Sequence, residues 1–316
     1  MLTKEEGYAI DIARLCALCF IITCHVLQAY DSIWAFVFNI GVQMFLFISG
    51  FLYGRKDTLE IKDFFVGRLR KVYAPYLLYI AITIPILKWV MHVGISWQQV
   101  LMYVFNLQAF GGAIEGLNHL WFLSILMIGY LLTPGLRWGW QKNKYILLSC
   151  VAVICILEYV VFQKMYMNFT WLLVYVLGLI IGMSRKRIMY FISVLSLIGF
   201  VVCSLFIGNV NYLLESANRH LYAWVHLFGG IAICLTLLIV CERWGGGATT
   251  LIRKINSLSY EIYLTHHAFC LGAMSLLFIT QYVVGNILLM LLASITSAFL
   301  LHYMIKFLNT KNCQAK

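Results

Sequence analysis

The chain has 316 residues, of which 63% are hydrophobic and only 11% are charged, with a formal net charge of +11. A soluble domain carries about 25% charged residues, so this composition excludes an ordinary water-soluble fold. The basic residues are distributed between long apolar runs instead of forming one continuous patch, and the net charge therefore does not indicate nucleic-acid binding.

Ten apolar runs recur along the chain, and a helix needs roughly 20 apolar residues to cross a bilayer. In chain order they cover residues 10–28, 33–53, 73–93, 119–136, 145–162, 169–183, 188–207, 222–241, 258–279 and 283–305. Because backbone polar groups in lipid must be satisfied within their own element, we predict an all-α integral membrane protein, a polytopic bundle of about ten transmembrane helices. Residues 1–316 are predicted to form a single membrane-embedded domain.

The lysine and arginine residues predict how the bundle is oriented. Between the apolar runs, 19 of the 23 basic residues fall on one side. The other side receives only Lys88, Lys164 and Arg219, while Arg14 lies inside the first run. Because basic loops remain in the cytoplasm, both termini and the basic loops are predicted to be cytoplasmic.

The first apolar run contains three ionisable residues, Asp11, Arg14 and His25. At 100° per residue they share one stripe of a helix, although Arg14 and His25 are separated by about 16 Å along its axis. Ionisable groups within a membrane are costly and are functional candidates by default. The alternative is that Asp11 and Arg14 neutralise each other at the interface while His25 lies among the lipid headgroups.

These residues begin a series of five segments that resembles the acyltransferase-3 family of membrane acyltransferases. The segments are Asp11, Arg14 and His25 as the first-helix signature; residues 41–52 (GVQMFLFISGFL), similar to GVxxFFxxSGFL with Leu46 in place of a Phe; residues 68–76 (RLRKVYAPY), a basic motif before a proline; residues 119–123 (HLWFL), with Tyr130 and Pro134 downstream; and residues 259–266 (SYEIYLTH), similar to SYxIYLxH. Their order spans nearly the whole chain.

The chain also departs from the pattern of the family's larger polysaccharide acetylases. Those proteins often carry acidic residues after the tryptophan of the fourth helix, where this chain has Leu126 and Met127. We expect no hydrolase-like domain after the last apolar run. We therefore expect a compact, stand-alone member, whose acceptor cannot be inferred from that of the larger proteins.

The resemblance implies O-acyl transfer, usually of acetyl from acetyl-CoA, to a sugar hydroxyl of an envelope glycan or exopolysaccharide. The expected location is the cytoplasmic membrane of a bacterium, with membrane lipids, an acyl-CoA donor and a glycan or lipid-linked sugar acceptor as partners. Neither a metal nor nucleic acid is expected. Another acyl donor, such as a succinyl thioester, stays open.

The resemblance also implies roles for particular residues. His25 is the candidate general base, or the group acylated in transit, with Arg14 and Asp11 as its catalytic partners. Arg68, Arg70 and Lys71 are expected to bind the phosphates of coenzyme A, and Arg14 part of its pantetheine arm or phosphates. The expected supporting residues are Ser49, His119, Trp121, Tyr263 and His266. His267 is expected to face a different direction from His266.

Three alternatives to this interpretation come from the same residues. The basic cluster at 68–71 could serve only as a cytoplasmic topology signal. The protein could carry or export a free or lipid-linked glycan without acyl chemistry. It could also be a non-catalytic membrane partner in a polysaccharide assembly complex.

Overall fold

The computed structural model describes residues 3–161, 170–206, 215–244 and 250–314. Within these ranges every regular element is helical, which confirms the predicted fold class. In chain order the helices are α1 (Lys4–Ala29), α2 (Ala35–Phe38), α3 (Ile40–Gly54), α4 (Ile61–Arg68), α5 (Ala74–Pro85), α6 (Trp97–Val104), α7 (Trp121–Val161), α8 (Thr170–Met183), α9 (Lys186–Phe206), α10 (Glu215–Trp244), α11 (Thr250–Cys270) and α12 (Val283–Gln314). Short π-helical turns at Leu69–Tyr73 and Ile86–Val90 flank α5, and 3-10 turns lie at Gln108–Phe110 and Asn118–Leu120.

Seven helical segments of the described chain are long and apolar enough to cross a membrane. They are Lys4–Ala29, Ala35–Gly54, Ile61–Val90, Asn118–Val153, Lys186–Phe206, Leu221–Arg243 and Val283–Leu308. A shorter apolar helix covers Thr170–Met183. The protein is therefore a multi-pass membrane protein, while the count of ten spans and the cytoplasmic location of both termini stay predictions.

Helix α7 contains the boundary that separates two of the predicted spans, 119–136 and 145–162. Asn143 has non-helical dihedrals, with φ −158° and ψ 98°. Its side-chain oxygen accepts hydrogen bonds from the backbone N–H groups of Tyr145 and Ile146, at 3.0 and 3.2 Å. Because an asparagine oxygen bonded in this way is a helix N-cap, a second helix begins here. Residue 162, the last of the second predicted span, lies outside the described residues.

The described helices are distributed over two compact units. The first unit comprises Met1–Ile21, Phe36–Leu59 and Ile125–Ile252. The second comprises Ile22–Ala35, Glu60–Ser124 and Arg253–Lys316. That residues 1–316 form a single domain stays a prediction.

In the first unit, α3 packs against α8 through glycines on both helices. Gly50 and Gly54 of α3 approach the α8 backbone, and Gly178 and Gly182 of α8 approach the α3 backbone. A Cβ atom added at Gly50 would lie 2.9 Å from the Leu179 nitrogen and closer still to a carbonyl oxygen. Small residues that let membrane helices approach so closely maximise van der Waals packing in the absence of a hydrophobic driving force.

Charged side chains of the first unit bind one another near the N-terminus of α1. Glu6 is buried and pairs with Arg55 at 3.2 Å and with Lys186 at 3.8 Å. Lys186 also pairs with Glu242. These basic residues, which contribute to the predicted orientation, are thus occupied by internal ion pairs.

In the second unit, two tyrosines tie α5 and its π-helical turn to α6. The Tyr73 hydroxyl donates to the Val104 carbonyl at 2.5 Å, and the Tyr76 hydroxyl donates to the Tyr103 carbonyl at 2.5 Å. Both acceptors lie at the end of α6, where backbone carbonyls have no partner within the helix. The chain between α5 and α7 is therefore fixed to the helix that precedes it.

Candidate active site

Four histidine rings meet within the second unit. They come from α1 (His25), from the 3-10 turn at Asn118–Leu120 (His119) and from α11 (His266 and His267). The centroid of the His25 ring lies 4.5 Å from that of His267, 5.4 Å from that of His266 and 6.4 Å from that of His119. The His119 and His267 rings stack at 4.5 Å. We call these four residues the histidine cluster.

Each ring of the histidine cluster donates an N–H to an oxygen, which is a main-chain carbonyl for three rings and the side-chain amide of the exposed Gln28 for His25. The pairs are His25 Nδ1 with Gln28 Oε1 (2.7 Å), His119 Nε2 with the Leu264 carbonyl (3.1 Å), His266 Nδ1 with the Tyr263 carbonyl (2.8 Å) and His267 Nδ1 with the Gly116 carbonyl (2.9 Å). Because these oxygens only accept, each pair sets the tautomer of its ring. In a neutral imidazole the second nitrogen is then the basic one.

The four rings differ in their accessibility. His119, His266 and His267 are buried, with 4%, 0% and 3% of their surface exposed. His25 is partly exposed. Within the described chain, the basic nitrogens of His119 and His266 are buried and have no hydrogen-bond partner. A molecule that reaches the cluster would therefore meet His25 first, and unused acceptor nitrogens lie behind it.

The turn that carries His119 is held in place by α11. The Tyr263 hydroxyl donates to the His119 carbonyl at 2.6 Å. Just before the turn, Gly116 has φ +81°, and Gly272, beyond the end of α11, has φ +93°. A Cβ atom on Gly272 would lie 2.8 Å from the Gly116 nitrogen, so the two backbones are in direct contact. This contact keeps the Gly116 carbonyl within reach of the His267 ring.

A buried tyrosine supports the same loop from the other side. The Tyr103 hydroxyl accepts from the Ile114 N–H at 3.1 Å and donates to the Leu117 carbonyl at 3.2 Å. Burial raises the pKa of Tyr103 to about 12, so its hydroxyl stays protonated and keeps donating. The Gln108 amide adds a bond to the Leu120 carbonyl at 2.7 Å. The loop that positions His119 is thus fixed by buried polar groups.

The predicted phosphate-binding residues lie at the π-helical turn of the second unit. Arg68 is the last residue of α4, and Arg70 and Lys71 are exposed within the turn. A π-helical turn is rare and often marks a functional site. The Tyr260 hydroxyl of α11 donates to the Val72 carbonyl of this turn at 2.7 Å. The basic residues are therefore attached to the helix that carries His266 and His267.

The other predicted site residues are distributed as follows. Asp11 and Arg14 lie on α1 and Ser49 on α3, half-buried within the first unit. Trp121 begins α7 and is half-buried in the second unit. Their roles stay predictions. Tyr263 and His266, by contrast, lie with His25 and His119 in the second unit and contact the cluster directly.

Two residues of the histidine cluster and its surroundings were not identified from the sequence. His267 was expected to face away from His266, yet its ring is the closest one to His25. Gln28, three residues after His25, is not among the predicted site residues. The spacing of three places the two side chains on adjacent positions of a helix, and this signal was available in the sequence.

The chemistry available to this arrangement is proton transfer and hydrogen bonding to hydroxyl groups. Among the described side chains, no three or more His, Cys, Asp or Glu residues form a group that could hold a metal ion. Imidazole takes and returns protons near neutral pH. The histidine cluster is therefore suited to taking the proton of a hydroxyl group and returning it.

Comparisons with known proteins identify the family of the chain. No curated protein and no solved structure gives a significant match to the chain. Residues 8–303 match the acyltransferase-3 family model, which is described as an acyltransferase domain. This match covers almost the entire length, and the protein belongs to the acyltransferase-3 family of membrane acyltransferases.

Proposed function

We propose that the protein is an acyl-CoA-dependent O-acyltransferase that moves an acetyl group to a hydroxyl of an envelope or exopolysaccharide sugar. The observation that carries this proposal is the partly exposed His25 ring, whose Nδ1–H is bonded to Gln28 and whose Nε2 is therefore basic. The proposed site of action is the cytoplasmic membrane of a bacterium, with the glycan accepted from its outer face.

In the proposed reaction, His25 Nε2 takes the proton of the acceptor hydroxyl. The hydroxyl oxygen bonds to the thioester carbon, the carbon–sulfur bond breaks, and His25 returns the proton to the sulfur, so that free thiol and sugar ester result. A sugar hydroxyl is a poor nucleophile, and general-base catalysis accelerates such a step by roughly 10²–10⁴. A direct transfer of this kind needs no covalent intermediate on the protein.

The buried rings support a hydroxyl-rich acceptor. The free nitrogens of His119 and His266 can accept hydrogen bonds but, in these tautomers, cannot donate them. Leaving a buried acceptor unpaired costs about 1–3 kcal/mol. A sugar whose further hydroxyl groups donate hydrogen bonds to these nitrogens would recover that free energy. An acyl acceptor that presents a carboxylate or phosphate to them would not.

The exposed basic turn supports the choice of donor. Coenzyme A carries several phosphate charges, and Arg68, Arg70 and Lys71 can pair with them on the side of the membrane that is predicted to be cytoplasmic. Arginine suits this role because its guanidinium binds phosphate through two parallel hydrogen bonds. Arg14 is the proposed contact for the rest of the donor, and Asp11 its partner.

The test is the variant His25→Gln, assayed as purified protein in lipid nanodiscs. Thiol release from acetyl-CoA and mass spectrometry of the glycan measure the reaction. Glutamine keeps hydrogen bonding but cannot take a proton, so glycan acylation should fall roughly 10²–10⁴-fold while acyl-CoA binding persists. The matched control is His302→Gln, since His302 lies outside the cluster and pairs with Glu261 at 2.9 Å.

The same experiment separates the alternatives. Wild-type acylation by His25→Gln protein would show that His25 is a packed histidine and that the base lies elsewhere. A carrier would move glycan without consuming acyl-CoA and would tolerate this substitution. A non-catalytic partner would tolerate the loss of Arg14 and His25 together.

A further inference from the structure

We propose that Gln28 is a positioning residue for acyl transfer, holding the proton of His25 on Nδ1 so that the basic Nε2 faces the acceptor. The inference rests on the proposed function, because it assigns to Gln28 the orientation of the proposed general base. The contact itself is the 2.7 Å hydrogen bond from His25 Nδ1 to Gln28 Oε1.

The geometry of α1 makes this contact a local and stable one. Residues three apart are about 60° apart around a helix and one turn apart along it, so their side chains can meet. The neighbouring Val26 and Ala29 pack against a buried cluster of Cys270, Leu277 and Met290. The Tyr30 hydroxyl donates to the Leu277 carbonyl at 2.9 Å just beyond the helix end. The last turn of α1 is thus anchored, and Gln28 is held level with the His25 ring.

Gln28 differs from the other acceptors of the histidine cluster. His119, His266 and His267 donate to main-chain carbonyls, whereas His25 donates to a side chain. The tautomer of His25 is therefore the one that a substitution can change directly. The partly exposed His25 ring and the Gln28 side chain, which a substitution can change, form one functional pair.

The neutrality of this acceptor has a chemical reason. A base that must return its proton to sulfur cannot hold it too strongly. A carboxylate beside Nδ1 would stabilise the protonated ring, while an amide oxygen orients the ring and adds no charge. In hydrolase triads, a carboxylate orients the histidine and also stabilises its protonated form. Gln28 would supply the orientation alone.

The experiment uses the purified full chain and the histidine reagent diethyl pyrocarbonate, which reacts with an unprotonated ring nitrogen. Peptide mass spectrometry follows modification of His25 across a pH series in wild type, Gln28→Glu and Gln28→Leu. In Gln28→Glu, the midpoint of labelling should move to higher pH, because the added charge favours the protonated ring. The pH profile of acylation should move in the same direction.

In Gln28→Leu, the ring loses its acceptor while the helix keeps an apolar side chain of similar size. We expect kcat for acylation to fall about tenfold, the effect of one lost hydrogen bond, with KM for acetyl-CoA unchanged. Gln28→Glu should recover most of this loss at higher pH. The matched control is Gln98→Leu, at an exposed glutamine of α6. This substitution should change neither kcat for acylation nor KM for acetyl-CoA.

Identical labelling curves for wild type and Gln28→Glu would overturn the proposal, as would wild-type kcat in Gln28→Leu. Thermal unfolding of each variant separates a folding defect from a loss of positioning. If labelling shifts but His25→Gln protein still acylates normally, the hydrogen bond is real, and both the proposed base and its positioning residue are wrong. If His25→Gln is inactive and labelling does not shift, only the role of Gln28 is wrong.

Discussion

The hydroxyl of Tyr263 donates to the main-chain carbonyl of His119 across 2.6 Å, and the two rings pack with centroids 5.3 Å apart. Tyr263 thereby joins α11 to the 3-10 turn and fixes both the backbone and the ring of His119. The position of the buried part of the histidine cluster thus depends on Tyr263, whose role is structural.

We predict that Tyr263→Phe lowers stability and activity together. The ring contacts persist, but the buried His119 carbonyl loses its donor, which costs about 1–3 kcal/mol. Thermal unfolding in nanodiscs should show a lower Tm, and acylation should fall several-fold. Tyr282→Phe is the matched control because Tyr282 is 80% exposed. An unchanged Tm would mean that the turn is held by its other contacts.

The histidines of the cluster should differ in their effects on the reaction. We predict that His266→Gln reduces acylation less than His25→Gln, because His266 is fully buried and His25 is the partly exposed ring. For His267→Gln, we expect a loss of acylation between those of the other two variants, since the His267 ring packs 4.5 Å from that of His25. Steady-state kinetics of the three variants at several acceptor concentrations provide the measurement. A loss in His266→Gln equal to that in His25→Gln would place the base on α11 instead.

Replacement of the exposed basic turn should weaken donor binding. Arg68→Ala and Arg70→Ala should each raise the Kd for acyl-CoA. The effect should be larger at low salt, above all for the exposed Arg70, because salt screens exposed charges. Calorimetry at two ionic strengths measures this. Lys62→Ala provides the control, because Lys62 is exposed on α4 in the same segment, which is predicted to be cytoplasmic. Unchanged binding in both arginine variants would leave the cluster with a topological role alone.

The predicted orientation can be tested with two single cysteines on exposed positions. Thr58→Cys, in the predicted cytoplasmic segment, should react with a membrane-impermeant maleimide only after the cells are opened. Gln98→Cys, on α6, should react in intact cells. Only labelling in excess of that of the unsubstituted protein is counted. Labelling of Thr58→Cys in intact cells would reverse the assignment of both termini to the cytoplasm.

Much of the candidate site follows from the sequence because its residues occupy recognisable segments. His25, His119, Tyr263 and His266 come from three such segments, and the structure brings them together in the second unit. The break at Asn143 likewise coincides with the predicted boundary between two spans. Long apolar helices and motif spacing are strong signals, and they specify these features well.

His267 could not be predicted in the same way. Adjacent helical residues point 100° apart, so His266 and His267 would be expected to serve different surroundings. In the structure, His266 bonds back to the Tyr263 carbonyl of its own helix, while His267 reaches the Gly116 carbonyl. Both rings therefore converge through hydrogen bonds to backbone atoms. The acceptor of His267 lies in the loop at Gly116, whose position helical periodicity does not predict.

The glycine contact between α3 and α8 bears on how mutational scans of this chain are to be interpreted. Gly50→Ala would press a methyl group into the α8 backbone and should cost on the order of 3 kcal/mol through overpacking. An inactive Gly50→Ala protein would invite the reading that the SGFL segment touches substrate. Expression level and Tm, measured beside activity, should instead show a poorly assembled protein. Ser49→Ala, one position away and free of that clash, is then the substitution that reports on chemistry in this segment.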